Sequence, residues 1–298
     1  MIDYKHLRKS ISRRVDQHCG VVCSLLKRTT NKFFLINGSQ WAEAFSYNAF
    51  FSLFPLMILI VTIASTFTSW ETAGSEVINY IEGIMPLSVD MQTYIFDTVA
   101  SVMKTRGQAS AVAFLILIWV TIQCFSTLIQ ATNHAWGTQA SNWWRLPVKS
   151  LLLLGITANA ILFGIAMPML AQMAKETFLA VTDYSYWIYA LGRFILPLLV
   201  VFVSLGMFYK LAPHRVTRFA EVWVAALVAT LMLLVAAGLF VIYLKQYSTL
   251  NAVYGAFGGI MALLLWIYLS GCIFIFGACL SAAQAESRKT LPFFSKAE

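Results

Sequence analysis

The sequence predicts an all-α, polytopic membrane protein with six transmembrane helices, and three observations carry that expectation. Of its 298 residues 59% are hydrophobic and only 11% are charged, whereas a soluble domain carries about 25% charged residues. The mean hydropathy is +0.73, so too few charges remain to coat a water-facing surface. Several apolar runs exceed the roughly 18 to 20 residues that a helix needs to cross the hydrocarbon core.

Three regions are expected: a basic interfacial segment over residues 1–40, a transmembrane domain over 41–283, and a tail over 284–298. In the first, Tyr4, Leu7, Ile11, Val15, Val22 and Leu25 recur at mostly helical spacing between basic residues, which predicts an amphipathic helix lying in the interface plane. This segment lacks the apolar h-region of a cleavable signal peptide, so the mature chain is expected to begin at Met1. The six spans are Ala44 to Phe67, Ala109 to Ala131, Ser150 to Met173, Trp187 to Tyr209, Val222 to Leu244 and Tyr254 to Ala282. Between the first two lies an outer loop, 70–108, in which Val77, Ile78, Ile81 and Ile84 form one helical apolar stripe and Met91, Ile95, Val99 and Val102 another. Two short amphipathic helices divided at Met85 and Pro86 follow from that pattern, serving as a cap over the bundle or as the wall of an outward cavity.

Orientation follows from the basic residues. Sixteen Lys and Arg fall on the side that holds both termini, four fall on the other side, and Arg193 lies inside a span. The positive-inside rule therefore puts both termini in the cytoplasm, as an even number of spans requires. The net charge of +8 is spread along the inner membrane surface, so the expected partners are membrane lipids with anionic headgroups and not nucleic acid.

The first span opens with an unusual mixture, AEAFSYNAFFSLFPL. At 3.6 residues per turn Glu43 and Tyr47 share one face, while Asn48, Ser52 and Pro55 fall along a neighbouring stripe. Such side chains serve either as hydrogen-bonding glue between helices or as the lining of a substrate-facing cavity. Pro55 withdraws an N–H from the helix ladder and predicts a kink. Arg193, four residues before Pro197 in the fourth span, snorkels to the outer headgroups, offers a fixed positive charge to an anionic substrate, or pairs with an outer-loop carboxylate such as Glu82, Asp90 or Asp183. The similar positions of Pro55 and Pro197 would suit an inverted three-plus-three repeat. In the last span Gly255, Gly258 and Gly259 predict close helix packing and leave a homo-oligomer open, and Trp266 and Tyr268 are expected inside the bundle.

The five cysteines are cytoplasmic or intramembrane in this topology, so no structural disulfide is expected. Cys19 and Cys23 beside His18 lack a second ligand pair, so neither a metal site nor a cofactor is expected.

Taken together, SYNAFFSLFPL, TLIQATNHAW, Arg193 with Pro197, LAPHRV and YGAFGGIMALLLWIYLSGCIFIFGA resemble the YihY/BrkB family of bacterial inner-membrane proteins, formerly labelled ribonuclease BN. That resemblance implies a role in the cell envelope and links to serum resistance. It also implies an acid after Gly-Ala at the end of the last span, where this chain carries Cys279. The old label invites a nuclease, but His6, His18, His134 and His214 are scattered and the cytoplasmic connections are too short for a catalytic cluster. No enzyme is expected. The expected function is a transporter or flippase for an anionic envelope amphiphile, such as a lipid or lipid A precursor. Without a GxxxxGK[ST] motif the chain does not drive transport by ATP alone. The alternatives are a sodium or proton-coupled ion exporter, for which Glu43 is the only available intramembrane acid, and a non-transporting envelope scaffold.

Overall fold

The computed structural model describes residues 23–67, 106–138, 146–159, 184–215, 217–247 and 251–294, and all regular structure among them is helical. The helices are α1 (23–35), α2 (Gly38–Phe67), α3 (Arg106–Ala135), α4 (Leu146–Asn159), α5 (Tyr184–Leu211), α6 (Phe219–Tyr247) and α7 (Asn251–Phe294). Four of them contain stretches long and apolar enough to cross a membrane: Gly38–Leu59, Ala111–Ala135, Phe219–Lys245 and Gly258–Ser287. Leu146–Asn159 and Pro197–Leu211 are shorter apolar helices. The expected interfacial helix before residue 23, most of the outer loop and the second half of the third span lie outside the described residues.

The α1–α2 corner is set by Asn37, whose φ of 54° ends one helix and starts the next. Asn tolerates this left-handed conformation better than most residues. Its N–H donates to the Phe34 carbonyl at 3.1 Å, and its own carbonyl accepts from Gln40 at 3.0 Å. Gly38 follows because the Phe33 ring lies where a Cβ would stand.

α7 is the axis of the bundle. It packs against α2, α3 and α6, while α2 also packs on α3 and α5 on α6. Its 44 residues correspond to about 66 Å of helix, more than twice the hydrocarbon thickness. Every residue from Ala278 to Ala285 is buried, and most are Ala, Ser or Cys. Small side chains let neighbouring backbones approach closely where lipid offers no hydrophobic drive for association.

Two glycines make that approach possible. A Cβ at Gly271 would stand 2.9 Å from the Phe45 ring and 3.4 Å from Ala42, so α2 crosses α7 there. A Cβ at Gly277 would collide with the Tyr209 hydroxyl and stand 3.1 Å from Ala229, so α5 and α6 both close on α7 at this level. Tyr209 is fully buried. Its hydroxyl donates to the Phe274 carbonyl at 2.9 Å, and Phe274 also meets Phe208 edge to face at 4.5 Å between centroids. The buried phenol thus keeps a hydrogen bond that burial without a partner would forfeit.

Candidate functional site at the basic end of the bundle

The densest polar structure gathers where α3 and α5 end and α6 begins. α3 closes with a Schellman motif: Gly137 N–H donates to the His134 carbonyl at 3.1 Å and Thr138 N–H to the Asn133 carbonyl at 3.0 Å. Gly137 has φ of 65°, the left-handed conformation this closure needs, and Trp136 becomes the last residue before it. The side chain of Asn133, 2% exposed, faces the α5–α6 corner. Its Oδ1 accepts the His214 backbone N–H and the Thr138 hydroxyl, both at 2.9 Å.

Basic side chains reinforce this junction. From α4, Lys149 Nζ lies 3.5 Å from the Leu211 carbonyl, 3.3 Å from that of Pro213 and 3.1 Å from His214 Nδ1. A cation there complements the negative end of the α5 dipole. Accepting from an ammonium makes Nδ1 the unprotonated nitrogen of the His214 ring. From α1, Lys32 donates to the Ala135 carbonyl at 3.0 Å, at the end of α3, and pairs with Glu286 of α7. Thr217 closes the corner through a 2.8 Å bond to the Lys210 carbonyl.

Arg215 occupies the centre. Its guanidinium lies 4.4 Å from the centroid of the Trp136 ring, a cation–π contact, while Nη2 lies 3.3 Å and 3.4 Å from the two Glu221 oxygens. Glu221 is the third residue of α6 and also accepts the Arg218 backbone N–H at 3.3 Å, half of a capping box. Trp41 covers the far side, tilted over His134 at 5.3 Å. Lys32, Lys149, Lys210, Arg215 and Arg218 stand here against Glu221 and Glu286, so this end carries an excess of positive charge. Among the described residues no three His, Cys, Asp or Glu side chains come together as a metal site would need.

The polar residues of the first span lie elsewhere on α2. Asn48 Nδ2 is 3.4 Å from Thr127 Oγ1 of α3. Ser46 and Ser52 return their hydroxyls to the carbonyls of Glu43 and Ala49, at 2.9 Å and 2.6 Å. Pro55 is buried within a continuous α2. Glu43 is exposed, and Tyr47, 60% exposed, leads a ladder of rings through Phe51 to Phe54. Tyr268 and Cys272 of α7 are both half-buried. Pro197 is half-buried in α5. Trp266 packs on Phe240 at 5.0 Å between centroids, and Gly258 and Gly259 are half-buried. The side chain of Arg193 and the surroundings of Gly255 lie outside the described residues.

Sequence reasoning attached no site role to Asn133, Trp136, Lys149, Arg215, Glu221 or Gln284, and counted Lys149 and Arg215 only toward membrane orientation. Asn133, Trp136 and Arg215 sit in motifs that carry the family resemblance, and TNHAW at the end of one span with PHR at a basic corner was the available signal.

A bundle of long apolar helices with a cationic polar end defines a helical membrane protein. The chain belongs to the family described as Virulence factor BrkB, which matches residues 31–295. It is 24% identical to a Bacillus subtilis protein named as ribonuclease-like, YfkH, over 90% of this chain and 98% of that protein. It is 26% identical to a UPF0761 membrane protein of Xanthomonas oryzae over 84% of this chain, but it spans only 58% of that relative's length. A further similar protein is the UPF0761 membrane protein IL2447 of Idiomarina loihiensis, 27% identical over 70% of this chain and 72% of its own. No solved structure matches.

Proposed function

We propose that the chain is a six-span inner-membrane transporter or flippase for an anionic amphiphile of the envelope, with both termini in the cytoplasm. In this reading it is not an enzyme, needs no cofactor and takes its energy from a gradient or a partner. Membrane lipids are its partners, and nucleic acid is not.

One observation carries the reading: an apolar groove of about 620 Å³ between α6 and α7. It is lined from Val228 to Tyr243 on α6 and by Leu265, Leu269 and Ile273 on α7. Those fifteen steps along α6 span about 22 Å, the scale of an acyl chain within one membrane of about 30 Å core thickness. Toward the start of α6, exposed Phe219, Trp223 and Leu227 continue as an i, i+4 ridge into Leu231, Val235 and Leu239 of the groove. Arg218 is exposed at the head of that ridge. Cation and aromatic side chains at a helix end suit the headgroup level, and an apolar track below them suits a chain.

A scaffold is the second reading, favoured by the contact of Asn48 with Thr127, which is what structural glue would make. Photocrosslinking separates the two. An anionic phospholipid with a photoreactive acyl chain is expected to label Val235 and Leu239, and excess unlabelled anionic lipid should compete where zwitterionic lipid does not. Equal competition by both lipids would mean bulk solvation of an apolar face and would favour the scaffold.

A further inference from the structure

Among the described residues, Trp136 Nε1, a donor, and Gln284 Oε1, an acceptor, are buried at the basic end without a hydrogen-bond partner. Each residue is only 9% exposed. A buried polar group without a partner is costly, so a donor and an acceptor of this kind beside a cationic cluster suit a ligand that pairs with them.

Helical register relates Gln284 to the start of α6. α6 and α7 are joined by a short connection and run side by side, with Phe240 against Trp266 and Ala229 against Gly277. Between those pairs each residue back along α6 is matched by one forward along α7. Extended two further turns, the same register would match Val222 with Gln284, and both residues are buried. Val222 adjoins Glu221, whose carboxylate holds Arg215, and Arg215 lies on Trp136. Lys32 bonds the Ala135 carbonyl beside Trp136 and pairs with Glu286, two residues past Gln284, so the unpaired donor and the unpaired acceptor belong to the same end of the bundle as the guanidinium. Both contacts to Glu221 come from Nη2, so the rest of the five-donor fork remains for a second acceptor.

We propose that this junction is a phosphate-binding site, taking a phosphomonoester or inorganic phosphate between the Trp136 indole N–H, the Arg215 guanidinium and the Gln284 carboxamide. Arg matches a tetrahedral oxyanion in a bidentate manner. Trp136 supplies a neutral donor. The Gln284 oxygen calls for a donor from the ligand, which the P–OH of a monoanionic phosphate provides and which a phosphodiester or a sulfate lacks. The phosphate site stands on these residues alone; only its assignment to a lipid headgroup rests on the amphiphile reading above.

The test uses the full chain in phosphatidylcholine nanodiscs, with thermal unfolding as the readout, since a ligand that binds only the native state raises Tm. Inorganic phosphate, sulfate, and discs doped with phosphatidic acid or phosphatidylglycerol are compared. Phosphate and phosphatidic acid are expected to raise Tm saturably, with sulfate and phosphatidylglycerol well behind. Trp136→Phe keeps the ring over Arg215 and removes the N–H, and should need about tenfold more ligand, the loss of one charge-assisted hydrogen bond. Gln284→Leu should abolish the preference for phosphate over sulfate, which keeps the proposal testable if the Trp variant folds poorly. A response to inorganic phosphate alone supports the site and overturns its assignment to a lipid headgroup. Equal saturation of wild type and Trp136→Phe, or a Trp136→Phe protein that is more stable with unchanged ligand response, would overturn the site and leave a solvated gap.

Discussion

The carboxamide oxygen of Asn133 accepts the backbone N–H of His214 at 2.9 Å, joining the end of α3 to the corner between α5 and α6 across 81 residues of sequence. The same oxygen takes the Thr138 hydroxyl, and Nδ2 donates to the Ile129 carbonyl at 3.0 Å, so the side chain is used at both ends. Asn133→Ala leaves two donors without their acceptor in a buried place. A loss of about 1 to 3 kcal/mol is expected, read as a lower thermal midpoint in detergent. An unchanged midpoint would mean that water replaces the amide.

Gly277 and Tyr209 are expected to be strongly coupled. Gly277→Ala places a methyl against the Tyr209 hydroxyl and should cost about 1 to 3 kcal/mol as overpacking. Tyr209→Phe removes the bond to Phe274 and should cost about 1 kcal/mol by itself. Because the hydroxyl is the atom nearest the new Cβ, the double variant should be less destabilised than the two losses added together. A double-mutant cycle of thermal or denaturant unfolding measures this, and simple additivity would show that the helices separate as a unit.

Asn48 distinguishes glue from cavity. A bond of 3.4 Å to Thr127 contributes at most about 1 kcal/mol inside a membrane. Thr127→Val should therefore lower the thermal midpoint slightly and leave transport per folded molecule unchanged. Asn48→Leu removes the same contact and, if the opening of α2 also faces substrate, cuts transport further. Equal behaviour of the two variants would assign Asn48 to packing.

Lys210 and Arg218 are exposed at the corner that precedes the α6 ridge. Exposed substitutions away from special features change stability by less than about 0.5 kcal/mol. The variant with both changed to Gln should fold as the wild type, yet show a raised apparent KM for an anionic amphiphile and a weaker dependence on ionic strength. A KM that does not move would place capture of the headgroup elsewhere.

The helices were legible because a membrane span writes itself as an apolar run, and α2, α3, α5, α6 and α7 each overlie one. The third and fourth expected spans are represented among the described residues by the shorter apolar stretches Leu146–Asn159 and Pro197–Leu211. The junction was not legible for a physical reason. Periodicity reports which face of a helix is apolar, but polar residues near a span end read alike whether they meet headgroups or another loop. Nothing local links Asn133 to His214, or Lys32 to Glu286 across 254 residues. The packing glycines show the same limit. Gly255 and Gly259 announce themselves by spacing, whereas Gly277 and Gly271 become visible only when Tyr209, Ala42 and Phe45 arrive from other helices.

The most direct measurement is the rate at which a headgroup-labelled anionic phospholipid crosses the bilayer of proteoliposomes containing the full chain, beside a zwitterionic analogue and protein-free liposomes. Faster movement of the anionic lipid alone, reduced when Lys210 and Arg218 are both changed to Gln, is the result the transporter predicts. Rates equal to those of protein-free liposomes across imposed proton and sodium gradients would contradict it and leave the bundle as a scaffold.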